Sequence, residues 1–359
     1  MGLRVNPSIH NLPPIEHGGA GYAGLKEAGL LDFSTCCNPY GPPQEIYRAL
    51  RATNIGDYPD PHSGELVASL AGSLGTSSDR VIIGSGSTEI IRLSALAYLA
   101  AGDKVVIPSP TYGEYALAAG IAGCVIVRYK LREDRDFRLS MDDLASFAQA
   151  HNPGAVFLCN PNNPTGQLLP GEKLLGFVRG LPDALIILDE AYMAFTDRTS
   201  DEPDLTEEPN VLIVRSMTKD FALAGLRLGY GLASPTIINS LKKVRPPWNV
   251  SSPAQRAGIA ATACGGYVRR CNARMQKCRS YLTGRLSKMG YRIIPTDTHF
   301  FLVRIGDAPG FKNRLLEKGF LVRDCSSFGL PAFVRISPRC MDDCRKLAQA
   351  IAEMAWKAD

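Results

Sequence analysis

Val214-Arg-Ser-Met-Thr-Lys-Asp-Phe-Ala-Leu-Ala-Gly-Leu-Arg-Leu-Gly-Tyr230 is the stretch from which this chain is best read. Apolar residues 211–214 lead into it, Ser216 and Thr218 place hydroxyls beside Lys219, and Arg227 follows. A lysine becomes a nucleophile only if its neutral amine is accessible near neutral pH, which takes burial or cationic neighbours. This setting suits a lysine held as a Schiff base beside a phosphate. Alone, a lysine in a loop after a strand is ordinarily a solvated surface charge, so the segments around it have to decide.

Two upstream segments do so. Asn160-Pro-Asn-Asn-Pro-Thr-Gly166 follows apolar residues 155–159, and Ile186-Ile-Leu-Asp-Glu-Ala-Tyr192 is an apolar run ending in acids. In order and spacing the three segments resemble the fold type I enzymes that use pyridoxal 5'-phosphate (PLP). Within them they resemble the branch containing histidinol-phosphate aminotransferase and threonine-phosphate decarboxylase. The resemblance covers nearly the whole chain. It implies an α/β fold, with a large domain built on a mostly parallel seven-stranded sheet and a smaller α+β domain.

Composition agrees. The 359 residues, 45% of them hydrophobic, suffice for a sizeable core and more than one domain. A net charge of +5 suits a small anionic substrate, and no dense basic run interleaved with aromatics points to nucleic acid. Ten cysteines are spread along the chain without a Cys-x-x-Cys pair or zinc-finger histidines. Cys264, Cys271, Cys278, Cys340 and Cys344 read as small apolar residues on helix faces. No basic segment followed by an apolar run is visible near Met1, so no secretory signal is expected; Asn6 does not fit a myristoylation site, and no apolar run is long enough for a membrane span. A reducing cytoplasm is the expected compartment.

Apolar runs at 81–84, 104–108, 125–129, 155–159, 184–188, 211–215 and 228–232 predict strands buried on both faces of a mostly parallel sheet. Helical stretches such as 88–100 alternate with them. Past Pro246-Pro247 the pattern changes to a long helix at 253–289, strands at 300–305 and 333–337, and a closing helix at 341–356. The expected organisation is an arm (1–45) packed on the small domain, a cofactor-binding large domain (46–247) and a small domain (248–359).

PLP chemistry needs few protein groups. The resemblance implies that Asp189 keeps the ring nitrogen protonated and that Asn163 and Tyr192 hold the ring hydroxyl. Gly86, Ser87 and Thr88, in a glycine-rich turn before a helix, would bind the cofactor phosphate together with Ser216, Thr218 and Arg227. Tyr112 would stack on the ring, and Tyr58 would reach the phosphate of a neighbouring subunit, making a homodimer with shared sites. Arg335 and Arg323 match anion-binding arginines, for which a planar guanidinium is well suited. Taken singly, each has a plainer reading: strand-end acid, turn residue, packed aromatic or surface charge.

The core motifs do not separate two reactions. His17-Gly-Gly, Leu31-Asp-Phe-Ser34, Asn38-Pro-Tyr-Gly-Pro-Pro43 and Val322-Arg-Asp-Cys-Ser-Ser-Phe328 are similar to threonine-phosphate decarboxylases. The expectation is therefore a PLP-dependent lyase that makes (R)-1-aminopropan-2-yl phosphate for cobalamin, with His17 and Asn38 near a small phosphorylated substrate. Ala20 stands where Asn is common, and Thr35-Cys-Cys37 where Ala-Asn-Ile is more usual. These departures leave histidinol-phosphate aminotransferase as the alternative, with serine-phosphate decarboxylase behind it. A silent PLP-binding regulator is disfavoured by the intact Lys219, Asp189 and Asn163.

Overall fold

The computed structural model describes residues 6–10, 12, 18, 29–197 and 205–356. The central sheet runs β2-β8-β7-β6-β5-β3-β4. Its strands are β2 (Val81–Gly84), β3 (Lys104–Ser109), β4 (Val125–Lys130), β5 (Ala155–Cys159), β6 (Leu185–Asp189), β7 (Val211–Ser216) and β8 (Gly229–Ala233). All are parallel except β8, which is antiparallel to both of its neighbours. The strand runs read from sequence fall within one residue of these bounds. Side chains alternate strictly between two apolar layers. Val106, Val156, Ile186 and Ile213 face one, and Val105, Phe157, Ile187 and Leu212 the other. That explains why β5 and β6 are apolar throughout and sit mid-sheet. β4 carries Arg128 and Lys130 and lies at the edge, where charge discourages pairing with another chain.

A second, antiparallel sheet has the order β12-β13-β10-β9, from Arg323–Asp324, Phe333–Ile336, Phe301–Arg304 and Arg292–Ile293. Beside it, β1 (Leu31–Asp32) pairs in parallel with β11 (Phe320–Leu321). Phe33 is fully buried in the core of this smaller unit. The arm does not belong to that unit alone: the short helix Pro7–His10 lies against helix Glu114–Ile121 of the central sheet, and the Leu12 side chain meets Gly120. The long helix expected at 253–289 is two, Ser252–Thr262 and Gly265–Lys288. The break precedes Gly265-Gly266, where two residues of poor helix propensity adjoin. Cys271, Cys278 and Cys344 are buried on helix faces. Among the described residues no helix is long and apolar enough to cross a membrane.

Candidate active site

A cavity of about 710 Å3 opens where the carboxyl ends of β3, β5 and β6 meet the segment after β1 and the small sheet. Parallel strands gather loops and helix starts at that end. Lys219, Asp189, Tyr192 and Asn163 all line the cavity, so the three motifs read from the sequence converge in space.

Asp189 ends β6 with its carboxylate buried. Oδ2 accepts from the Tyr115 hydroxyl at 2.7 Å, and Oδ1 accepts from Ala191 N–H at 3.0 Å. Burial pushes the carboxyl above its ordinary range, while Tyr115, the Ala191 N–H and the Lys219 charge pull the other way. Glu190 points elsewhere, into an ion pair with Arg215 at 2.7 Å. Tyr115 was not among the residues read from the sequence. It is fully buried, stacked on Phe157 at 5.3 Å, and lies edge-on to Tyr112 at 5.5 Å. Its one signal was position, three residues after Tyr112 at the start of helix Glu114–Ile121.

Lys219 lies in the short helix Met217–Asp220 that follows β7. Its backbone carbonyl accepts from Asn38 N–H at 2.9 Å, and the Asn38 amide donates to Asp220 O at 2.9 Å. Asn38 was expected near substrate. Instead its side chain is used to fix the lysine loop, and it does not line the cavity.

The glycine-rich turn joins β2 to helix Ser87–Tyr98, whose N-terminus presents N–H groups. Gly86 adopts a φ of 81°, and a Cβ there would stand 2.8 Å from Arg227 Nη2. A Cβ on Gly229 would meet Ser87 N at 2.5 Å. The two glycines thus let the turn, β8 and a guanidinium close on one point. Around it Thr88 Oγ1 lies 3.2 Å from the Tyr112 hydroxyl, and the Ser216 and Thr218 hydroxyls lie 2.6 Å apart. Burial pushes the Tyr112 phenol up to about 12, so it stays protonated.

Arg323 and Arg335 enter from the small sheet and are both largely buried. They are directly opposite partners in the β12–β13 ladder. Arg335 donates to Asn163 Oδ1 through Nη1 and to Ser34 O through Nη2 at 2.6 Å, and its guanidinium lies over the Phe300 ring. Arg323 donates to Ser327 Oγ at 2.7 Å. Tyr58 does not line its own chain's cavity. It is 81% exposed and lies against Trp248 with tilted rings, centroids 4.8 Å apart. His17 lies outside the described residues.

Residues 29–351 match the family described as aminotransferase class I and II. The chain belongs to that family. It is 36% identical over 325 residues to histidinol-phosphate aminotransferase of Moorella thermoacetica, covering 87% of this chain and 83% of the relative. Among solved structures it is similar to histidinol-phosphate aminotransferase from Sinorhizobium meliloti in complex with pyridoxal-5'-phosphate. There the TM-score is 0.87 and identity 25%, over 99% and 98% of the two chains. L-threonine-O-3-phosphate decarboxylase from Porphyromonas gingivalis is a structural neighbour at TM-score 0.79 and 26% identity, over 91% and 100%.

These relationships overturn the expected decarboxylase assignment, and with it the lyase and cobalamin readings. The physical reason lies in what the peripheral motifs do. Asp32 Oδ1 accepts from Ser34 N–H and Oγ at 2.7 Å, Phe33 is core, and Asn38 holds the lysine loop. Those residues support the fold, and fold support is common to both reactions. For this aminotransferase-family chain the cofactor is PLP, and the residues present fit it. The turn, hydroxyls and Arg227 suit a phosphate, and the buried Asp189, bonded only to neutral donors, suits a protonated ring nitrogen.

Proposed function

We propose that this chain is an aminotransferase that moves an amino group between histidinol phosphate and a dicarboxylic oxo acid. The observation that carries the reading is the pair Arg323 and Arg335, buried and directly opposite on adjacent strands at the cavity wall. Two planar guanidinium forks on one cavity wall suit a ligand that carries anions. A phosphate monoester and a dicarboxylate offer anions to the same two forks in turn, and the relatives' names supply the substrate.

When bound, PLP supplies the carbonyl that takes up the amino group and the ring that accepts the electron pair left at the substrate carbon. In this reading Lys219 Nζ holds the cofactor and then moves the proton at that carbon. Asp189 holds the proton at the ring nitrogen, with Tyr115 orienting its carboxylate. Asn163 and Tyr192 face the ring hydroxyl, and Tyr112 packs on the ring. Gly86, Ser87, Thr88, Ser216, Thr218 and Arg227 hold the phosphate. Tyr58 reaches a partner's site, which makes the active species a homodimer. The support is its exposure against the half-exposed Trp248, with exposed Ile55 three residues before it, apolar side chains that its own chain leaves open.

The test is a steady-state assay with histidinol phosphate and 2-oxoglutarate, which should yield glutamate with ping-pong kinetics. Absence of glutamate, with carbon dioxide released from threonine phosphate instead, would overturn the reading.

A further inference from the structure

We infer that Glu89 and Asn249 are positioning residues that hold the glycine-rich turn in its phosphate-binding shape. The inference rests on the reading of that turn as the cofactor phosphate site. Glu89 is the third residue of helix Ser87–Tyr98 and reaches back over the turn, where its Oε2 accepts from Ser85 N–H at 2.6 Å. The same oxygen accepts from Asn249 Nδ2 at 2.6 Å, and that amide also donates to Ile83 O at 3.3 Å. Strand end, turn and helix start are thus pinned to one carboxylate oxygen and one amide. Neither side chain lines the cavity, so both act through the turn.

The residue types at the turn explain why this support is needed. The helix is preceded by Gly86, which has no side chain to cap it. A serine or aspartate there would take up an N–H of the first helical turn. With glycine those N–H groups stay open to an anion. Glu89 supplies instead a return bond like that of a capping box, one residue further out. Gly84 lets it approach, since a Cβ there would stand 3.2 Å from Glu89 Oε2 and 2.7 Å from Ile90 Cγ1.

Asn249 is held in turn by its neighbours. Gln255 Nε2 donates to Val250 O and to Asp60 O, both at 2.9 Å. Trp248 lies against Tyr58 and adopts a φ of 53°, which a bulky residue keeps only where its surroundings over-determine it. The Arg245 guanidinium feels the Glu89 charge, and so offsets a carboxylate placed near an anion site. Packed outer support of this kind keeps donors in register with a ligand.

The test is equilibrium titration of the full chain, freed of cofactor, with PLP and with pyridoxal, which differ only in the phosphate ester. Glu89→Ala and Asn249→Ala should each weaken PLP about tenfold or more and pyridoxal less than about twofold. Glu89→Gln keeps an oxygen that can accept both bonds, and should bind PLP within about threefold of the parent. Equal weakening of PLP and pyridoxal in the alanine variants would mean a merely structural role and overturn the inference. Unchanged PLP binding in both, or a Glu89→Gln variant as impaired as Glu89→Ala, would overturn it too. Arg227→Gln tests the underlying reading separately, and should weaken PLP while sparing pyridoxal. If it changes neither, the turn is not the phosphate site and this inference falls with that reading. Should Glu89→Ala not fold, Asn249→Ala, which leaves the helix intact, decides by the same ratio.

Discussion

Lys219 and Asp189 face one cavity from neighbouring strand ends, so each can be tested separately from the fold. Lys219→Ala should lack the visible band that borohydride removes from the unsubstituted protein, and should lose turnover while still retaining PLP through its other contacts. Substantial activity in that variant would contradict its role. Asp189→Asn should stay folded and lose several orders of magnitude in kcat, since the ring nitrogen loses its charge partner. Replacing either arginine by lysine should lower kcat/KM about ten- to a hundredfold, because charged hydrogen bonds contribute roughly 1.5–3 kcal/mol each and a point charge lacks the fork. Lys219, Asp189, Asn163 and Tyr192 are legible in the sequence because each follows an apolar run that fixes which sheet end it reaches. Tyr115 and Cys36 are not. Nothing in residues 114–121 says that the Tyr115 hydroxyl turns toward Asp189, and Cys36 reaches the cavity wall only once β1 has paired with β11. Asn38 stands in a recognisable motif, and the sequence does not show that its amide bonds the backbone of the lysine loop.

Between strands and helices, the close approach at Gly86 and Gly229 is the feature most open to test. Gly229→Ala would press a methyl against Ser87 N, where no flexible side chain can yield. Equilibrium dialysis should show at least about tenfold weaker PLP binding, while circular dichroism stays close to that of the parent. A second test lies behind Tyr192, where His299 is packed among Phe195 and Phe300. Burial first, then the Arg335 and Lys219 charges, hold its imidazole down at about 3 against an ordinary 6.5. A lowered value means that the unfolded chain binds the proton first. The ring's contribution is thus full above 6.5 and is lost as pH falls toward 3. His299→Asn should flatten the fall in Tm across that window, and an unchanged slope would contradict the assignment. Strands are legible because alternation between two layers leaves β5 and β6 apolar at every position. The split of the long helix is harder to read, since paired glycines can also be carried inside a helix when packing demands it.

At the scale of the whole molecule, the proposed two-fold assembly makes Tyr58 a contributor to its partner's site. Mixing Lys219→Ala with Tyr58→Phe, once the latter is shown to be strongly impaired, should restore activity through mixed dimers carrying one competent site. A fully active monomer would contradict shared sites. The choice of reaction is also made at this scale, and for that reason it is the least legible part of the sequence. The bond that breaks is the one the whole cavity holds perpendicular to the cofactor ring, and no motif encodes that angle. Family membership and the long alignments with histidinol-phosphate aminotransferases favour amino-group transfer, where the peripheral motifs pointed to decarboxylation. The most direct test is a half-reaction. Histidinol phosphate alone, added to the PLP-loaded protein, should bleach the visible band and yield one equivalent of the corresponding ketone per site, and 2-oxoglutarate should then restore the band with one equivalent of glutamate. A band that persists with histidinol phosphate, or is bleached without ketone and not restored by the oxo acid, would contradict the account.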